Sequence, residues 1–136
     1  MAQLTSQQSA VLAENFLELA EAVGNYRMEH WETLSDEERK EMKAYQYSLL
    51  NYSDEMSTNA ARLVMNDIED SLDTLRDVTQ QIKKDYGKLQ KIHKVIHIAA
   101  ASVALGAAIF SKQPQAIQHS MKNLVSKWKE EEEEAP

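Results

Sequence analysis

The sequence predicts an all-α fold: an elongated antiparallel helical bundle with one very long helix and a C-terminal helical hairpin. Three observations carry this. Apolar residues recur at alternating steps of three and four along most of the chain, the period of one helix face. Two Ser/Thr-x-x-Glu/Gln boxes, Thr5 with Gln8 and Ser35 with Glu38, mark helix starts. Glycine occurs three times and proline twice in 136 residues, too few to supply the turns of a β architecture.

The first helix opens at the Thr5 box and carries Leu12, Phe16, Leu19, Val23 and Tyr26 in near coiled-coil register. It is expected to run to about Leu34, with Gly24 marking a close helix contact. The second begins at the Ser35 box, where Asp36 and Glu37 suit the positive end of the helix dipole. Met42, Tyr45, Leu49, Tyr52 and Met56 form its apolar stripe. Residues 51–53 resemble a cap, so both a break and a continuous helix are open there.

From Ala61 the stripe continues through Val64, Ile68, Leu72, Leu75, Val78, Ile82, Tyr86, Leu89, Ile92 and Ile96. No proline interrupts it before Pro114, and the expectation is one helix from about Asp54 to Phe110, bent at Gly87. Its uncovered stripe predicts self-association into a homodimer or higher oligomer. Pro114 suits the first position of a last helix, whose apolar face is Ile117, Met121, Leu124 and Trp128. Residues 1–129 thus form a single helical-bundle domain. Residues 130–136 are an acidic tail, whose glutamates oppose the helix dipole and are expected to fray.

Residues 95–110, VIHIAAASVALGAAIF, stand out. Ala100, Ala104 and Ala108 recur at steps of four, as do Ser102 and Gly106, which lets another backbone approach closely. The 16-residue run spans roughly 24 Å as a helix, short of a ~30 Å hydrocarbon core. A buried core helix is the simpler expectation. A conditionally inserting hairpin is the alternative, with Phe110, Lys112, Lys122 and Trp128 at its membrane or partner interface.

Charge is unevenly spread beneath a net value of −7. Residues 1–80 carry −10, residues 81–129 carry +8 and the glutamate run carries −5. The basic segment could face an anionic membrane or an acidic protein, or be neutralised within the fold. Lys84, Lys88 and Lys91 are expected to share one helix face just before the apolar run. No arginine follows Arg76 and no docking motif is present, so nucleic-acid binding is not expected. The absence of cysteine excludes disulfides and thiol chemistry. The N-terminus lacks a basic and apolar leader, so the cytoplasm is the expected location, with leaderless export left open.

Catalytic constellations are missing. There is no glycine-rich phosphate loop and no Gly-x-Ser-x-Gly elbow, and no catalytic residue or cofactor is assigned. Asp67, Asp70, Asp73 and Asp77 form an acidic stripe, read as solvated surface. His93 and His97 share a helix face at the spacing that can hold a metal, but Lys-Val-Ile lies between them where a zinc protease has a glutamate. They are weak candidates only, and no metal is expected. The function expected is that of a non-enzymatic protein–protein interaction module, adaptor-, immunity- or chaperone-like, acting through the long-helix stripe and the basic hairpin. A membrane-active helical protein is the runner-up, and a metal-sensing bundle the third reading.

Overall fold

The computed structural model describes residues 6–58, 69–111 and 113–130. About 90% of the described residues are helical, and no strand occurs among them. Five α-helices occur among the described residues: α1 (Ser6–Glu29), α2 (Asp36–Thr58), α3 (Glu69–Asp85), α4 (Ile92–Ser111) and α5 (Pro114–Lys129).

Helix α1 packs on α2 as an antiparallel hairpin. The α2 start is the Ser35 box as expected: Glu38 N–H donates to Ser35 Oγ at 3.1 Å, and Ser35 N–H donates to Glu38 Oε1 at 2.7 Å. The other box begins at Thr5, which lies outside the described residues. Helix α1 stops at Glu29 rather than Leu34, and a turn follows in which Leu34 N–H donates to the His30 carbonyl. Arg39 clamps this turn by donating from Nε to the Trp31 carbonyl at 2.8 Å, while Arg27 and Arg39 lie over the Trp31 ring at 4.8 and 4.5 Å.

The cap-like segment 51–53 lies inside an unbroken α2. Ser53 is buried, and its hydroxyl donates to the Ala13 carbonyl of α1 at 2.7 Å. A residue that resembled a helix cap is an interhelical tie.

The expected helix from Asp54 to Phe110 is corrected. It is divided at a described break: α3 ends at Asp85, Tyr86–Lys88 form a 3-10 turn, and Leu89 is extended at φ −66° and ψ 137°. Two buried tyrosines hold the break open. Tyr26 donates to the Leu89 carbonyl and Tyr86 to the Val95 carbonyl, each at 2.8 Å. Burial, with Tyr26 alongside, holds the Tyr86 hydroxyl well above the usual range for a tyrosine. The Leu89 carbonyl, served by Tyr26 of α1, needs no α-helical partner, so the segment can leave the helix there while keeping its apolar stripe. The expectations at Val64 and Ile68 lie outside the described residues.

Neighbour relations among the helices form a ring: α1, α2, α4, α5, α3 and back to α1. Tyr26 lies beside Tyr86, and Glu18 pairs with Lys83 at 3.4 Å, so α1 and α3 run parallel. Helix α4 starts at that same end, where Tyr86 reaches Val95, and finishes where Tyr52 stacks on Phe110. It therefore runs parallel to α2, and only the sequential neighbours α1/α2 and α4/α5 are antiparallel. The core is the apolar interior of this ring. The α1 stripe is buried in full, as are Met42, Leu49 and Met56 of α2, Leu75, Val78 and Ile82 of α3, and Ile117, Met121 and Leu124 of α5. Each such large side chain contributes roughly 1.5–3 kcal/mol relative to leaving it exposed.

Candidate functional site

Helix α4 is the unusual element, because it is apolar on both sides. Between Lys94 and Ser111 it carries no acid, lysine or arginine. Its inner side is conventional core: Val95, Ile98, Leu105 and Ile109 are all buried. The polar Ser102 sits among them because its hydroxyl turns back to the Ile98 carbonyl at 2.9 Å.

Gly106 belongs to this inner side. A Cβ built there would come within 2.7 Å of Tyr52 Cε2 and 2.9 Å of Tyr52 Cγ. The bare glycine lets the Tyr52 ring lie against the α4 backbone. That ring also stacks on Phe110 at 5.6 Å and meets Phe16 edge-on at 6.3 Å.

The outward side is different. His93, His97, Ala104, Ala107 and Ser111 are exposed, and Ala100 is half-buried. Their steps alternate four, three, four, three, four, which is the seam of a coiled coil. This seam lies between α2 and α5. Half-buried Ile96, Val103 and Phe110 border it on the α2 side, where Phe110 meets Tyr52. Lys94 borders it on the α5 side, over the Trp128 ring at 5.9 Å and bonded to the Glu130 carbonyl. The result is a solvent-facing seam without acid, lysine or arginine, flanked by α2 and α5.

The residues singled out from sequence are divided by the structure. Ala104 lies on the outward seam and Ala100 at its edge, but Ala108 is buried. A step of four residues overshoots a helical turn by about 40°, so two steps carry Ala108 off the seam and into the bundle. The small residues thus fall on two sides, with Gly106 and Ala108 inside and Ala100 and Ala104 outside. Ile96 belongs to the long stripe read from the sequence, whereas Val103 and Ala107 were not singled out there, although the four–three stepping from His93 was already visible.

Lys84, Lys88 and Lys91 do not share a helix face, because the chain leaves the α-helix after Asp85. Lys84 is exposed, and Lys88 pairs with Asp85 at 3.5 Å. Lys122 is exposed on α5. Lys112 lies outside the described residues. Trp128 is half-buried, and its indole N–H donates to Gln81 Oε1 at 2.9 Å, tying α5 to α3. Asp73 and Asp77 are exposed around Arg76, at 3.6 and 4.0 Å, as a solvated stripe would be. Asp67 is outside the described residues.

His93 and His97 do face one way, with ring centroids 5.5 Å apart and planes at 78°. No cluster of three or more metal-ligating side chains occurs among the described residues. No family model, curated protein or solved structure matches this chain.

Proposed function

We propose that this chain is a non-enzymatic helical interaction module, and that its working surface is the outward seam of α4 with α5 beside it. The observation that supports this is an uncharged, small-residue seam on a chain of net charge −7. Elsewhere a partner helix would meet charged side chains that must be desolvated or matched. At Ala104 and Ala107 it meets methyl groups, and close backbone approach is open to it. Binding there lays a helix along α4, flanked by α2 and α5, in the register that α4 already presents.

A photo-crosslinking side chain at position 104, in the cells that make the protein, tests this. The same group at exposed Lys40 on α2 is the control. A discrete adduct from position 104, absent at position 40 and lost when Ala107→Glu is added, is expected. Equal labelling from both positions, or none from 104, refutes the reading.

A membrane-active protein is the second reading, and one observation favours it. Helix α4 has 20 residues, about 30 Å at the helical rise, and is long and apolar enough to cross a bilayer. Half of that stretch is buried inside the bundle. Insertion would have to draw Val95, Ile98, Leu105 and Ile109 out of the core, at roughly 1.5–3 kcal/mol for each large side chain before any gain from lipid. Flotation with anionic liposomes at neutral and acidic pH separates the two readings.

A further inference from the structure

We propose that the partner of the α4 seam is a second copy of this chain, paired in parallel, and that His93 and His97 of both copies then meet as a four-imidazole site for zinc. The proposal rests on the reading of the seam as a docking face and names its occupant and ligand.

Charge selects the copy and its direction. Helix α2, on one side of the seam, carries six acids and three bases, for −3. Helix α5, on the other side, carries three lysines and no acid; Lys127 pairs with Glu130 just past its end at 3.7 Å, which leaves Lys122 and Lys129 for a partner. A two-fold axis along α4 exchanges the sides, so α2 of each copy faces α5 of the other and opposite charges meet along both edges. Antiparallel pairing would set α2 against α2 and α5 against α5. The two arrangements bury the same alanine seam, and electrostatics favours the parallel one.

Parallel pairing has a chemical consequence. It places each seam residue beside its own counterpart, so all four histidines gather at one end of the interface. Their ring spacing within one chain is close to that of two imidazoles on one tetrahedral metal. Two imidazoles bound through nitrogens about 2.1 Å from one zinc have ring centroids roughly 5.2 Å apart. The observed separation is 5.5 Å, with the planes nearly perpendicular. Both side chains are exposed, and no hydrogen bond engages either ring among the described residues. One chain supplies only two nitrogens, beside Lys94 and the positive end of α4. The second copy completes the usual four ligands of a structural zinc.

Sedimentation equilibrium of tag-free protein in EDTA and in zinc, paired with zinc calorimetry, tests this. Zinc is expected to bind at one ion per two chains and to raise the mass from 15.5 kDa towards about 31 kDa. The double variant His93→Gln, His97→Gln should lose the zinc response, and Ala104→Glu should block zinc-driven pairing. One zinc per chain without a mass change, zinc-driven pairing that survives the double histidine variant, or no response to zinc each overturns the proposal. A chain that stays monomeric in zinc, yet yields a position-104 adduct with a different protein, overturns the pairing and leaves the docking face standing. Absence of both signals overturns the two together.

Discussion

Gly106 and Gly24 both sit inside helices, and alanine at the two positions should act in opposite directions. Replacing a mid-helix glycine with alanine ordinarily stabilises by about 0.5–1 kcal/mol, through the entropy of the unfolded chain. At Gly106 that gain meets a rigid obstacle. The new Cβ would sit 2.7 Å from Tyr52 Cε2, whereas carbon atoms pack best at about 3.5–4.0 Å. The ring must move by roughly 1 Å, and it is held by Phe110 on its face and Phe16 across its edge. Overpacking of this kind costs about 1–3 kcal/mol. Swinging Tyr52 outward instead forfeits aromatic contacts of about 0.5–1.5 kcal/mol each. The net expectation for Gly106→Ala is a loss of about 1–2 kcal/mol, or roughly 3–8 °C in Tm for a domain of this size. At Gly24 the obstacle is the amide end of Gln46, a flexible, half-buried side chain. Gly24→Ala should therefore be neutral or raise Tm by a few degrees. Thermal unfolding followed by circular dichroism measures both. A Gly106→Ala protein that melts at or above the wild type, or equal losses at the two sites, would refute the packing argument.

Three further expectations concern buried polar groups. The Tyr86 hydroxyl titrates higher in the folded than in the unfolded chain, so the folded state holds its proton longer. Its contribution to stability is complete below the unfolded value near pH 10 and falls as pH rises beyond it, so Tyr86→Phe should flatten the alkaline limb of a pH–stability curve. The same variant should lose about 1 kcal/mol at neutral pH, because the buried hydrogen bond from Tyr86 to the Val95 carbonyl is lost. Thr79 is fully buried and its hydroxyl has no partner among the described residues, so Thr79→Val should stabilise by up to about 1 kcal/mol in urea unfolding. Ser53→Ala should cost about 1 kcal/mol by the same assay, since Ser53 ties α2 to the Ala13 carbonyl.

Local rules were legible in the sequence, and long-range ones were not. The Ser35 box, Pro114 at the start of α5 and the apolar stripe of α1 all follow from spacing within a few residues, and the fold keeps each of them. The break after Asp85 is braced by the Tyr26 hydroxyl, contributed from across the fold. Tyr26 reaches a carbonyl 63 residues away, and no pattern near Leu89 announces it. The stripe of apolar residues runs through the break unaltered, because a 3-10 turn and a short extended segment still bring Tyr86, Leu89 and Ile92 against the core. The small residues of α4 show a second limit. Composition revealed that another backbone could come close, but not that the helix presents close-approach positions on two sides. Only the neighbours make the distinction: Tyr52 takes the Gly106 side, and the Ala104 side is left exposed.

Helix α4 divides into an inner side committed to the bundle and an exposed outer side. A glutamate scan along the helix, read as thermal stability at a concentration low enough to exclude association, tests it most directly. Ala104→Glu and Ala107→Glu should stay within about 0.5 kcal/mol of the wild type, as substitutions on an open surface do. Ala101→Glu and Ala108→Glu place a charge at buried positions and should lose more than about 3 kcal/mol or fail to fold. Losses at 104 and 107 as large as those at 101 and 108 would show that the outer side is already packed against its own chain, and would contradict the account.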